Sequence, residues 1–108
     1  MLLAVALGAF GAHALKSRVD AEHLAIWSTA VHYHALHALA LFVYGVWRER
    51  SGGKSHAGFA FLAGIALFSG SLYGLALGGP SWLGPLTPLG GLAFLAGWLI
   101  VGVQALRR

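Results

Sequence analysis

Apolar residues fill this chain in long blocks, and the charges are confined to the gaps between them. No Asp, Glu, Lys or Arg occurs from His23 to Trp47 or from Ser55 to Leu106. A bilayer-spanning helix needs about 20 apolar residues, and the blocks predict four helices, at about 1–15, 21–47, 56–77 and 88–105. The first is closed by Lys16-Ser17-Arg18-Val19-Asp20. Asp20 is placed to cap the second helix, with Glu22 in its first turn. Ser51-Gly52-Gly53 breaks the second from the third, and Gly78-Gly79-Pro80 ends the third. Thr87-Pro88 reads as an N-cap with proline at the first helical position of the fourth. Backbone groups in lipid must be satisfied internally, so the reading is all-α: an integral membrane four-helix bundle in one domain, residues 1–108.

The first helix is short for this task. Fifteen residues at ~1.5 Å each reach about 22 Å, so Lys16 must snorkel, the bilayer must thin, or the helix is a shortened form of a longer one. Ala12-His13-Ala14 resembles a signal-peptidase site, but no basic stretch precedes it, so no cleavage is expected there.

Charge then sets orientation. Only 9% of the 108 residues are charged and the net charge is +4; mean hydropathy is +0.76. With both termini inside, the inner face holds Arg48, Arg50, Lys54, Arg107 and Arg108, and the outer face only Lys16 and Arg18. That bias favours an N-in, C-in, multi-pass protein of the inner membrane. The basic residues sit at segment ends rather than along one face, so nucleic acid is not an expected partner. The chain has no Cys, which removes disulfides and thiolate metal sites.

Small residues recur at four-residue spacing: Ala4, Gly8 and Ala12 on the first helix, and Ala66, Gly70, Gly74 and Gly78 on the third. Such ladders let helix backbones approach closely in lipid, so Gly8, Gly70, Gly74 and Gly78 are the expected packing positions. The expected partners are the bilayer and a second copy or a larger membrane complex.

The chemistry available lies in polar residues at membrane depth. Trp27 and Trp47 are twenty residues, or ~30 Å, apart. Read as two interfacial belts, they place His32, His34 and His37 within the bilayer, His37 deepest. At 100° per residue, His34 and His37 share a stripe with Trp27, Ala30 and Leu41, while His32 points away. On the third helix Ser69 and Tyr73 share a face. His13, His34, His37, Ser69 and Tyr73 form the candidate polar site, with Ser69, Tyr73 and the first-helix backbone near His13 the expected partners of His37. Such a site can fix a bundle by hydrogen bonds. It can also move a proton, metal ion or small solute, or ligate haem. No acid lies at that depth to support a metal or a serine nucleophile, and P-loop, GxGxxG and HExxH motifs are absent. The reading is therefore non-enzymatic, without cofactor or metal: a structural or interaction subunit first, a carrier or channel second, a haem protein third.

Five segments carry a resemblance. They are Gly8-Ala9-Phe10-Gly11-Ala12-His13, Trp27-x-Thr29-Ala30-x-x-Tyr33-His34-x-x-His37-Ala38-Leu39, Phe68-Ser69-Gly70-Ser71-Leu72-Tyr73, Thr87-Pro88-Leu89-Gly90-Gly91 and Phe94-x-x-Gly97-Trp98. In this order they resemble the small bacterial membrane proteins called domain of unknown function 423, related to eukaryotic transmembrane protein 256. The resemblance implies a four-helix inner-membrane protein and no established activity. It also implies histidine at positions 13 and 37, and histidine or glutamine at 34. That suits hydrogen bonding at His34 better than obligatory metal ligation. Family members have more apolar residues ahead of the first motif.

Overall fold

The computed structural model describes residues 1–51 and 57–107. The expected start of the third helix at His56, most of the glycine-containing break and the inner-face charges Lys54 and Arg108 lie outside the described residues. Helix α1 spans Leu2–His13, α2 Ala21–Ser51, α3 Ala57–Ala76 and α4 Leu86–Leu106. The described residues contain no strand.

Local chemistry sets the boundaries. A 3₁₀ turn, Leu15–Ser17, follows α1 and tucks Leu15 inward. Asp20 then caps α2, its Oδ1 accepting the backbone N–H of His23 at 2.8 Å. Helix α3 ends in a Schellman turn: Gly79 N–H reaches Gly74 O and Gly78 N–H reaches Leu75 O. Gly78, at φ +85°, supplies the left-handed conformation this turn requires. Helix α4 begins one residue before Thr87, so Thr87 is not its cap. Thr87 and Pro88 sit in the first turn, where the missing proline N–H would have had no intrahelical partner anyway.

Helix α3 is interrupted by a π turn over Ile65–Ser69. A π turn adds a residue to the helical repeat, so a face read at four-residue spacing does not continue through it. The expected glycine ladder is broken here. A Cβ on Gly70 would meet nothing within 4 Å, and Gly74 faces the Leu83 side chain beyond the helix end rather than another helix. Close packing lies instead between α3 and α4. A Cβ on Gly97 would lie 2.7 Å from the Phe61 ring, and one on Gly64 would enter the Phe94 ring. At Gly90 it would overlap the backbone nitrogen of Phe68 and lie 2.6 Å from its Cα.

The helices pack in series. α1 lies against α2, α2 against α3 and α3 against α4, while the backbones of α1 and α4 do not approach, nor do those of α2 and α4. This differs from a closed four-cornered bundle, in which the first and last helices would also meet. The result is a slab of 49 × 26 × 15 Å. Among the described residues, two helices are long and apolar enough to cross a bilayer, within Ala57–Ala76 and Ser81–Leu106. Helix α1 is apolar but shorter, and α2, with 31 residues, is long enough but carries too many histidines and hydroxyls to pass on hydropathy.

Candidate functional site

Trp27 is the first surprise. It is 4% exposed, enclosed by protein rather than lying on the surface. Its indole N–H donates to the Leu7 carbonyl of α1 at 2.9 Å, and its ring lies so close to Gly11 that a Cβ there would be 2.6 Å away. With Leu15 and Ala76 it forms a small core, and Tyr73 packs on its other side at 4.7 Å between ring centroids. A buried indole needs an acceptor, and the α1 backbone provides it.

One and three turns further along the same α2 stripe, Ala30 and His37 are buried, as is His34 between them. The Ala30 carbonyl accepts the Ser69 hydroxyl across from α3 at 2.9 Å, and His34 Nδ1 pairs with the Tyr73 hydroxyl at 2.9 Å. His37 meets neither Ser69 nor Tyr73. Its Nδ1 lies 2.9 Å from the Tyr33 carbonyl oxygen and its Nε2 3.0 Å from the Trp98 indole nitrogen of α4. A carbonyl can only accept and an indole N–H can only donate. The proton is therefore on Nδ1, the imidazole is neutral, and both ring nitrogens are engaged. The ring also stacks on Phe94, centroids 3.6 Å apart and planes 10° from parallel.

Two further links complete the set. Ser71 Oγ donates to Phe68 O at 2.9 Å and lies 2.6 Å from Thr87 Oγ1, tying α3 to the start of α4. The Tyr44 hydroxyl donates to Gln104 Oε1 at 3.3 Å, tying α2 to the end of α4. Among the described residues, no buried side-chain polar atom lacks a partner.

His13 does not join this set. It is exposed at the end of α1, and His32 is exposed on the opposite face of α2. No three His, Cys, Asp or Glu among the described residues come close enough to share a metal ion. His23 sits outside the helical core, its Nδ1 2.6 Å from Asp20 Oδ1. The backbone N–H and then the ring of His23 hold the Asp20 carboxyl below its ordinary value of 3.8.

Sequence reasoning missed Trp98, Thr87, Tyr44 and Gln104 as members of the network. Two of them carry a signal: the Trp98 indole N–H in mid-helix, and the lone Gln104 amide in a chargeless helix, must find partners away from water.

The same gap between α2 and α4 that His37 and Trp98 bridge is hollow on both sides of them. One cavity of about 360 Å³ reaches from Leu36 to Trp47 and Val101. A wider, more open one of about 630 Å³ lies on the other side, along Tyr33, Phe68, Pro88 and Leu92. Both are almost wholly apolar.

These features define a small helical membrane protein with an internal hydrogen-bond network. The family described as "Protein of unknown function (DUF423)" matches residues 7–91, and the chain belongs to it. Its relatives include the UPF0382 membrane protein YwdK of Bacillus subtilis, 47% identical over 98% of this chain and 89% of that one. A UPF0382 membrane protein of Staphylococcus haemolyticus is 38% identical over 98% of this chain and 88% of its own. One from Schizosaccharomyces pombe is 46% identical over 90% and 86%, so the family reaches beyond bacteria. No solved structure matches the chain.

Proposed function

We propose that this protein is a non-enzymatic structural or interaction subunit of the bacterial inner membrane, crossing it four times with both termini inside. The observation that carries this reading is the double engagement of His37. Its two nitrogens are spent on Tyr33 O and Trp98 Nε1, so neither is open to a metal, a haem or a travelling proton. A carrier or haem reading that uses His37 requires its Nε2 to release Trp98.

The interaction surface in this reading is the outer half of α2 with the neighbouring α1. Ser28, Thr29 and His32 are exposed there, beside a shallow hollow lined by Gly8, Gly11 and Ala12. The His32 ring, exposed on this face, is costly in lipid unless a partner receives it, and small residues permit close approach of another helix. A second copy or another membrane subunit fits this face.

Purification in mild detergent, with mass measurement, an absorbance spectrum and metal analysis, tests the proposal. The expected result is an assembly larger than one chain that Ser28→Trp breaks apart while the helical content holds. A Soret band, or stoichiometric metal lost on His37→Gln, would overturn it. So would proton or metal flux in proteoliposomes that His37→Gln abolishes.

A further inference from the structure

We propose that the gap between α2 and α4 binds one anionic phospholipid, with an acyl chain in the apolar cavity and the phosphate between Arg48 and Arg107. The inference goes beyond the scaffold reading and concerns a different face of the slab.

The cavity is built, not incidental. The backbones of α2 and α4 are held apart by two side-chain bridges, His37–Trp98 and Tyr44–Gln104. Between these bridges lie Ala40, Val43, Phe61 and Val101, lining about 360 Å³. Volume decides the occupant. A helix ~10 Å across and three turns long occupies on the order of 1,200 Å³, so a whole partner helix does not enter the cavity. A single hydrocarbon chain does, and the lining asks for nothing polar.

Charge gives the chain its headgroup. Arg48 lies one helical turn beyond Tyr44, and Arg107 three residues beyond Gln104. The Tyr44–Gln104 hydrogen bond therefore puts both arginines, by helical register, just beyond the same end of the cavity. Trp47 lines that end, in the place where tryptophan meets the headgroup layer. Guanidiniums bind phosphate oxygens in paired hydrogen bonds, and basic pockets between membrane helices select anionic headgroups.

The test uses the full chain in mild detergent with an equimolar mixture of phosphatidylglycerol and phosphatidylcholine, read by native mass spectrometry. One phosphatidylglycerol should be retained with roughly tenfold or greater preference, the scale set by two basic residues near a lipid surface. Arg48→Gln/Arg107→Gln should bring the preference close to one without loss of helix. Ala40→Trp, which fills the cavity, should reduce retention of both lipids. A phosphatidylglycerol carrying a photoreactive acyl chain should label Val43 and Val101 in the native chain, a readout that does not depend on any variant folding. Equal retention of the two lipids, an unchanged preference in the double variant, or labelling confined to other faces would overturn the proposal.

Discussion

Helix α4 meets its two neighbours in opposite ways. Toward α3 it presents Gly90 and Gly97, and the backbones close until Phe68 and Phe61 fill the space a Cβ would take. Toward α2 it presents Phe94, Trp98 and Gln104, long side chains that span a gap the backbones never close. The first seam is held by van der Waals contact, which is intolerant of added atoms. The second is held by a few hydrogen bonds and a ring stack, with space left on either side. One helix thus carries a rigid seam and an open one. Where lipid is as apolar as the side chains, only the first resists invasion by its surroundings.

The sharpest way to break this contrast is at Gly90. Gly90→Val would push a Cβ into the Phe68 backbone, which sits in the π turn of α3 and cannot swing aside like a side chain. A loss of about 3 kcal/mol or more is expected, at the upper end of overpacking effects. Gly70→Ala is the control: the backbone there is helical, at φ −60° and ψ −45°, with open space beside it. Alanine should be neutral or stabilising by up to about 1 kcal/mol. Thermal unfolding in detergent measures both. Equal effects at the two glycines would show that the α3–α4 seam is not closely packed.

At the open seam the cost is smaller and more specific. His37→Leu removes the acceptor of the Trp98 N–H and should lose about 1–3 kcal/mol by leaving that donor unpaired. His37→Gln keeps a donor and an acceptor and should lose less, although it forfeits the stack on Phe94. Adding Trp98→Phe should recover part of the His37→Leu loss, since the orphaned donor is then gone. Additive single effects would mean that the hydrogen bond contributes nothing across the gap.

The same comparison shows what the sequence discloses. The buried stripe of α2, from Trp27 through Ala30 and His34 to His37, is legible from the 100° repeat alone, as is the outward direction of His32. The four helices are legible from the charge-free blocks. The partners are another matter. A ladder counted at four-residue spacing predicts contacts at Gly70 and Gly78, yet a Cβ at either meets nothing within 4 Å, and Ser69 donates to the Ala30 carbonyl rather than to His37. Trp27 shows a second limit. Tryptophan spacing fits a bilayer thickness, yet the residue is buried against Gly11, because a glycine on α1 makes room for an indole there. No local pattern in α2 reveals that glycine's position in space. His13 fails to join the polar set for the same reason: which face of α1 meets α2 is decided by Gly8 and Gly11 together.

Ser69 separates packing from polarity within the rigid part of the molecule. It is wholly buried and donates to a carbonyl that already belongs to the α2 helix. Ser69→Ala removes the donor without orphaning a side chain. Hydrogen bonds between membrane helices average about 0.6 kcal/mol, and a loss of that order is expected in the same unfolding assay. A loss of several kcal/mol would mean that the π turn itself depends on this hydroxyl.

The smallest effect belongs to Asp20, where α2 leaves the apolar region and pH reaches the fold. Its carboxylate accepts the His23 backbone N–H and the His23 ring, and both hold its pKa below 3.8. A folded-state pKa below the unfolded one means that ionised Asp20 favours the fold. That contribution is fully present above the unfolded value and is lost as pH falls through the folded one. Asn caps a helix about as well as Asp, so Asp20→Asn keeps the cap and removes the titration. Between pH 7 and pH 3 the melting temperature of the native chain should therefore fall more than that of Asp20→Asn. Asp20→Ala, with no cap, should lie below both at pH 7. Because the group is exposed, salt should shrink the difference between the native chain and Asp20→Asn. Parallel pH profiles for the two would show that the fold does not sense this carboxylate, and that the N-terminal cap of α2 acts through geometry alone.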